Sequence, residues 1–252
     1  MNENYDPGGV SPRRQPLVYV VTLGVFEVYV NQQLAVWRGG GAGRGQLQRA
    51  FAYLVAHRNT LVRTDVLSEV AGVRSRQTAR HVIRGIRTLL HTWGIGNALQ
   101  EQDAALALRP HATWQTDTDR LEALYHQAEQ LDDDQQVMHA LQVLQAAEPL
   151  CGGDYLPTLD LLPDYMPYGE HAYWNTVQKR VLRRLIQVSL TVPDTWQHEQ
   201  SLRVAGRLIA LDRYDLESYT LAVRAARHCH NEGAARRFLQ MAQDIRDELG
   251  PD

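Results

Sequence analysis

The sequence predicts two domains in series. The first is an α+β domain in winged helix-turn-helix order, and the second is an all-α domain of tetratricopeptide-like helices. Three observations support this. Residues 1–116 hold 13 arginines, no lysine and 7 acids, whereas residues 117–252 hold 13 basic residues and 22 acids, so a net charge of +6 gives way to −9. The apolar pattern in front runs strands, three helices, hairpin, and behind Asp117 it is helical throughout. At 252 residues, two domains of ordinary size are favoured over one large core. The boundaries read as a disordered tail over 1–16, a winged-helix domain over 17–112 and a helical domain over 113–252.

The tail, MNENYDPGGVSPRRQP, is polar and rich in Pro and Gly, with no apolar core of a secretory signal. Leu17–Thr22 (LVYVVT) is β-branched and reads as a strand. In Val25–Val30, Phe26, Val28 and Val30 share one face of a second strand, with Glu27 and Tyr29 on the other. Asn31-Gln32-Gln33 reads as a turn and Leu34–Trp37 as a return strand. A glycine-rich loop, Arg38–Gly45, leads into a helix over Gln46–His57 with Leu47, Phe51, Leu54 and Val55 on one stripe. Asn59 stops that helix in the left-handed conformation. A second helix starts with Thr64 as N-cap and ends near Gly72. A third starts with Ser75 as N-cap and runs to about Trp93, with Gly94 beyond it. Leu99–Gln102 and Ala105–Leu108 alternate around Asp103 as a closing hairpin. Two helices joined by a short turn, then a hairpin, is winged helix-turn-helix order.

Helices are expected over Asp119–Leu131, Gln135–Glu148, Tyr168–Val192, Glu199–Leu211, Asp215–Cys229 and Gly233–Leu249. Asp132-Asp133-Asp134, Gly152-Gly153 and Pro193-Asp194 separate them. Leu202, Ala205 and Leu208 correspond to Ala235, Phe238 and Met241 at an offset of 33, close to the tetratricopeptide period. The ends Leu144–Pro149 and Leu208–Arg213 also match the close of such a unit.

On the third helix, Ala79, Val82, Ile83, Ile86, Leu89, Leu90 and Trp93 fall in one arc, the core face. Arg76, Arg80, Arg84 and Arg87 fall in a second, flanked by Gln77, His81, Thr88 and His91. No acid occurs between Arg74 and Asn97. Four like charges on one helix face repel one another, and an anionic partner would relieve them. Arg suits guanine and Gln suits adenine in the major groove, and the N-terminal part of a recognition helix lies nearest the bases. Arg76, Gln77, Arg80, His81 and Arg84 are therefore the candidate base-edge readers. Arg44, Arg49, Arg58, Arg63, Arg87, His91 and Arg109 are the candidate backbone contacts. The competing reading, a solvated arginine face, has against it the missing acids, the helix order and the basic front half.

Other signals point away from catalysis. Gly40-x4-Gly45 has phosphate-loop spacing, but Gln46 and Leu47 stand where that motif needs Lys and Ser or Thr. The loop reads as a connector into the first helix. His228-Cys229-His230 holds three adjacent metal-ligand types, which do not converge on a helix, so a helix end is expected and no metal site. The Asp132–Asp134 run reads as a solvated turn. No nucleophile and base stand at a motif spacing, so no catalytic residue, enzyme activity or cofactor is expected. Two cysteines, Cys151 and Cys229, fit a reducing compartment. With no apolar run of membrane length, they make a cytoplasmic protein without membrane attachment the expectation.

The chain also resembles the SARP-type bacterial transcriptional regulators. In these a response-regulator-like winged helix precedes a bacterial transcriptional activator domain of tetratricopeptide-like helices. The residues that carry the resemblance span about 17–250. They are Leu23-Gly24-Val25-Phe26-Glu27-Val28, Leu54-Val55-Ala56-His57, Val66-Leu67 and Arg84-Gly85-Ile86-Arg87-Thr88-Leu89-Leu90 in front. Trp114 and Asp117-Thr118-Asp119 stand at the junction. Cys151-Gly152-Gly153-Asp154-Tyr155-Leu156-Pro157 and Glu248-Leu249-Gly250 lie behind. The chain departs from the family after the second helix, where Glu69-Val70-Ala71-Gly72 replaces a tryptophan. It departs again in the wing, where Glu101 and Asp103 would repel phosphate and Arg109 is the compensating base. With the basic helix this gives the expectation of a sequence-specific activator that binds double-stranded DNA, and the resemblance implies RNA polymerase holoenzyme as its target; the acidic helical domain is expected to present a concave surface to a partner or to pair two protomers as a homodimer on repeated half-sites. The acidic wing and repeat-like rear leave an alternative, a protein-interaction or output module of a larger signalling regulator with weak or no DNA binding.

Overall fold

The computed structural model describes residues 17–38, 41–111, 113–133, 136–159, 169–193 and 195–250. The expected tail at 1–16 lies outside the described residues, as do Gly40 of the glycine loop and Asp134 of the acidic run. The chain divides into two compact units. One holds the residues up to Val20, Val28–Ala50 and His57–Gln115, and the other holds Val21–Glu27, Phe51–Ala56 and everything from Thr116 on. The break at Gln115 and Thr116 sits at the charge change, a few residues past the sequence boundary of 112.

Strands β1 (Val18–Val21), β2 (Glu27–Val30), β3 (Gln33–Leu34) and β7 (Trp114–Thr116) form a sheet in the order β3-β2-β1-β7. Val18, Val20 and Val28 are fully buried on it. Asn31 and Gln32, both at positive φ, make the two-residue hairpin turn that pairs Val30 with Gln33. The expected return strand Leu34–Trp37 is shorter, because Trp37 turns inward to meet Trp93 edge-on at 5.1 Å.

Helix α1 (Arg44–Ala56) buries Leu47, Phe51, Leu54 and Val55 as its stripe requires. Asn59 takes a φ of 68° beyond it. Strand β4 (Val62–Arg63) leads into α2 (Thr64–Val70). Thr64 is not the N-cap: Arg63 holds that position without a side-chain bond, and Thr64 is the first helical residue, its carbonyl taken by the Ser68 hydroxyl. Gly72 ends α2 at a φ of +74°, with Gly72 N–H bound to Glu69 O and Val73 N–H to Ser68 O, a Schellman close. In α3 (Arg76–Thr92), Ser75 is the expected N-cap and accepts from Thr78 N. Strands β5 (Leu99–Gln102) and β6 (Ala105–Leu108) form the hairpin around Asp103 and Ala104, and β6 also pairs with β4.

In the second unit, α4 (Asp117–Asp133), α5 (Val137–Ala147), α6 (Glu170–Ser189), α7 (Thr195–Leu211), α8 (Leu216–His228) and α9 (Glu232–Leu249) follow, each packed on the next. The Asp117 carboxylate opens α4 and accepts from Thr22 N, Leu23 N and Thr118 N at 2.9–3.0 Å. Burial pushes its carboxyl above the usual range, against the pull of those donors. The same segment continues with Gly24 N–H to Asp154 O at 2.8 Å and Leu156 N–H to Thr22 O at 2.6 Å. Residues paired at the offset of 33 differ in burial. Leu202 and Phe238 flank one cluster with Val223, Ala226, Ala234 and Ala235, yet Leu208 is fully buried where Met241 is 43% exposed. The reason is that α9 is the last described helix and nothing among the described residues covers its outer side.

Candidate nucleic-acid interface

The two arcs on α3 separate as periodicity requires. Val82, Ile83, Ile86, Leu89, Leu90 and Trp93 are buried and Ala79 is half-buried, while Arg76, Gln77, Arg80, Arg84, Arg87 and His91 are exposed. A groove of about 610 Å³ runs beside the helix. One wall is α3, with Arg76, Arg80, Arg84 and Arg87, and the other is the start of α2 and the hairpin turn at Ala104. The turn is held there because Thr64 N–H donates to Ala104 O at 2.9 Å and Arg63 pairs with Ala105. Arg74, which the sequence reading passed over, also lines this groove. Its signal was its place, in the turn between the two helices and at the head of the acid-free run.

Not every candidate is equally available. His81 is half-buried beside the loop before α1, where a Cβ on Gly41 would lie 3.4 Å from its Nδ1. Arg87 makes a two-pronged ion pair with Glu101 of the hairpin, Nε to Oε1 at 2.7 Å and NH2 to Oε2 at 2.6 Å. The wing acid is thus partly neutralised, at the expense of one groove arginine. Arg63 is spent in the same way on Asp65, at 2.7 Å.

Three other backbone candidates stand in structural positions. Arg49 donates to Ala71 O at 2.9 Å, tying α1 to the end of α2. Arg109 does not compensate the wing acids. It sits past the base of the hairpin, bound to Gln100 and to Asn59 O, while Glu101 and Asp103 lie toward the tip. Arg58 is half-buried in the turn after α1. Arg44 is exposed in the first turn of α1, and the exposed His91 lies over Gly96 at the far end of α3.

The glycine loop shows why Gln46 stands in place of a phosphate lysine. Gln46 reaches back to accept from Gly43 N at 3.1 Å, capping α1. His228, Cys229 and His230 end α8. His230, at a φ of 53°, donates to Arg227 O and Asn231 N–H to Ala226 O, another Schellman close. Among the described residues no three His, Cys, Asp or Glu side chains could hold a metal ion together. Burial pushes the Cys151 thiol up to about 12, so it is not an activated nucleophile. No described helix is long and apolar enough to cross a membrane.

No protein family and no curated protein matches the chain by sequence. Among solved structures, Mycobacterium tuberculosis EmbR in complex with a low-affinity phosphopeptide is similar, with a TM-score of 0.63 and 17% identity. The match covers 94% of this chain, which spans 62% of the length of that one. The likeness is one of fold.

Proposed function

We propose that the protein is a sequence-specific DNA-binding transcriptional activator with no catalytic step of its own. The observation that carries the proposal is the arginine-lined groove beside α3. Arg76, Arg80 and Arg84 line it from one exposed, acid-free face of α3 and Arg74 from the turn before that helix, while the acid in the lining, Asp65, is held by Arg63. In this reading α3 enters the major groove, with Arg76, Gln77, Arg80 and Arg84 nearest the bases. Arg44 and His91 would meet phosphate, and Arg87 would join them on leaving Glu101. The fold shared with EmbR supports the same reading. The helical second unit, in its tetratricopeptide-like arrangement, would carry contacts to RNA polymerase holoenzyme or pair protomers on repeated half-sites. No cofactor enters the proposal, and the expected compartment is the cytoplasm.

A second reading has one observation in its favour. Glu101 and Asp103 are both exposed on the hairpin, and Glu101 occupies Arg87. A protein-interaction or output module with weak DNA binding would tolerate that arrangement. Mobility shifts over random and genomic duplexes across a salt series separate the two. The activator reading expects steep salt dependence and a loss of about 1–3 kcal/mol of binding in Arg80→Ala. No binding at low salt, or an unchanged Arg80→Ala, sinks it.

A further inference from the structure

We infer that the groove between α8 and α9 seats an acidic, amphipathic helix of a partner protein. The groove has a volume of about 760 Å³. Leu216, Tyr219 and Val223 of α8 and Leu239 and Ala242 of α9 give it an apolar lining. Arg224 and Arg227 stand on the α8 side and Arg246 on the α9 side. Leu239 is 49% exposed there.

The build of the helical unit points to the occupant. Helix α6 packs on both α4 and α5, and α8 packs on both α6 and α7. The groove of α8 and α9 is the next position in that series, and no described helix fills it. In the position that α8 fills, the bases stand on the wall and the acids come with the entering helix. Lys179 of α6 meets Asp212 at 2.9 Å, and Arg183 meets Asp215 at 2.5 Å and Glu217 at 3.0 Å, where α8 begins.

The open groove has the bases without the acids. Arg224 and Arg227 are exposed, and neither is ion-paired among the described residues. Arg246, also exposed and not ion-paired, donates to the Gln243 side chain at 3.4 Å. Glu217 is the acid in the lining, and Arg183 already holds it. Burial and the neighbouring His198, Arg224 and His230 keep the His228 imidazole at the groove's end below its usual range, so protonation there is opposed by the same excess of positive charge. Three unpaired guanidinium groups around an apolar floor complement carboxylates flanking an apolar stripe.

The walls select a helix over an extended chain. Leu216, Tyr219 and Val223 stand at i, i+3 and i+7 on α8, and Leu239, Ala242 and Arg246 repeat that spacing on α9, so two helical ridges flank the groove. Helix interiors offer no free backbone N–H or C=O to an extended peptide, and an occupant on this apolar floor must satisfy its own backbone. From Leu216 to His228 the α8 wall is about 18 Å long, the rise of a helix of about 12 residues. None of this rests on α3 reading DNA.

The test is fluorescence polarisation against the full chain at physiological salt. The probe is a fluorescein-labelled, stapled helical peptide of about 12 residues, with leucine along one face and glutamate on the other. Saturable binding is expected, weakened about tenfold in Arg224→Glu/Arg227→Glu and about threefold or more in Leu239→Asn. It should be unchanged in Arg236→Glu/Arg237→Glu and in Arg80→Glu/Arg84→Glu. A lysine version of the peptide should not bind, and a stapled peptide of the same composition with its leucines scattered around the helix should bind at least tenfold more weakly. Because the substituted side chains are all exposed, circular dichroism and melting should show every variant folded. The inference is overturned by the absence of saturable binding, or by full retention in both groove variants. Equal binding of the scattered peptide, or equal loss in the Arg236/Arg237 variant, would show charge attraction without a seat and also overturns it. Concentration-dependent dimers abolished by Leu239→Asn would make a second copy of the chain the occupant, against a partner helix.

Discussion

Glu101→Gln should make DNA binding tighter, because it removes a carboxylate that holds a groove arginine. The Arg87–Glu101 pair closes at 2.6 Å with the two side chains 46% and 44% exposed. A pair that exposed contributes about 0.2–1 kcal/mol, and this returns to binding when Arg87 turns to phosphate. The acid itself, at about 8 Å from a phosphate, repels it by ~0.5 kcal/mol in water's dielectric, and by about a third of that at physiological salt. The sum is about 0.4–1.2 kcal/mol, or an affinity gain of about two- to eightfold. A second readout is independent of affinity. If Arg87 gains a phosphate, the slope of log K against log salt steepens by about 0.9. Polarisation titrations of a labelled duplex across a salt series measure both, and melting should fall by less than about 1 kcal/mol. Unchanged affinity and slope would show that Arg87 does not meet the backbone. Weaker binding would show that Glu101 holds Arg87 in its working position, and would refute the reasoning outright.

The remaining predictions separate packing from binding. Arg49→Ala leaves Ala71 O without its 2.9 Å donor and should cost about 1–2 kcal/mol of stability. Its salt slope for DNA should match the wild type, and a shallower slope would return Arg49 to the phosphate contacts. Gly24→Ala places a Cβ 2.1 Å from Gly152 O at a φ of +76°, so about 2–5 kcal/mol of destabilisation is expected on thermal unfolding. Gly206→Ala, in α7 with nothing within 4 Å of its added Cβ, should instead stabilise by about 0.5–1 kcal/mol. Burial alone would raise the Glu148 carboxyl, but Arg203 and Arg207 hold it below the usual range. The stability it confers is therefore complete above roughly pH 5 and lost as the pH falls through its depressed native value. Glu148→Gln should lower the melting temperature at neutral pH and flatten its fall on acidification, and an unaltered pH profile would dismiss the pair as a stabilising contact.

The architecture was largely legible because its signals are local. The core arc of α3 needs only the helical period, and Ser75, Gly94 and Asn59 needed only cap and turn chemistry. The hairpin around Asp103 matched at both strands. The fate of individual arginines was not legible, because it depends on partners far off in sequence. Arg49 meets Ala71 O, Arg109 meets Asn59 O, and Arg87 meets Glu101. An arginine beside an anion and one beside a carbonyl look alike in a charge count. Thr64 was misplaced for a related reason. A threonine before an apolar run is a good cap by type, but β4 pairing carries Arg63 to that position and leaves Thr64 inside the helix.

The junction shows how a resemblance carried by short motifs can have a purely structural cause. Leu23-Gly24 and Gly152-Gly153-Asp154-Tyr155 look like separate signatures more than a hundred residues apart. In the second unit they are one contact, with Leu23 bridged to Tyr155 and Gly24 N–H bound to Asp154 O. A Cβ on Gly152 would lie 2.3 Å from Leu23 O, just as one on Gly24 would strike Gly152 O. Two backbones can approach that closely only where neither has a side chain. Asp117 is bound to the same strip through Thr22 and Leu23. The glycines, the aspartate and the aromatic are therefore co-required by one backbone approach in the helical unit. They report its fold and say nothing about the proposed DNA binding. Under the proposed function, specificity would rest instead on side chains the fold leaves outward, above all Arg76, Gln77, Arg80 and Arg84 on α3.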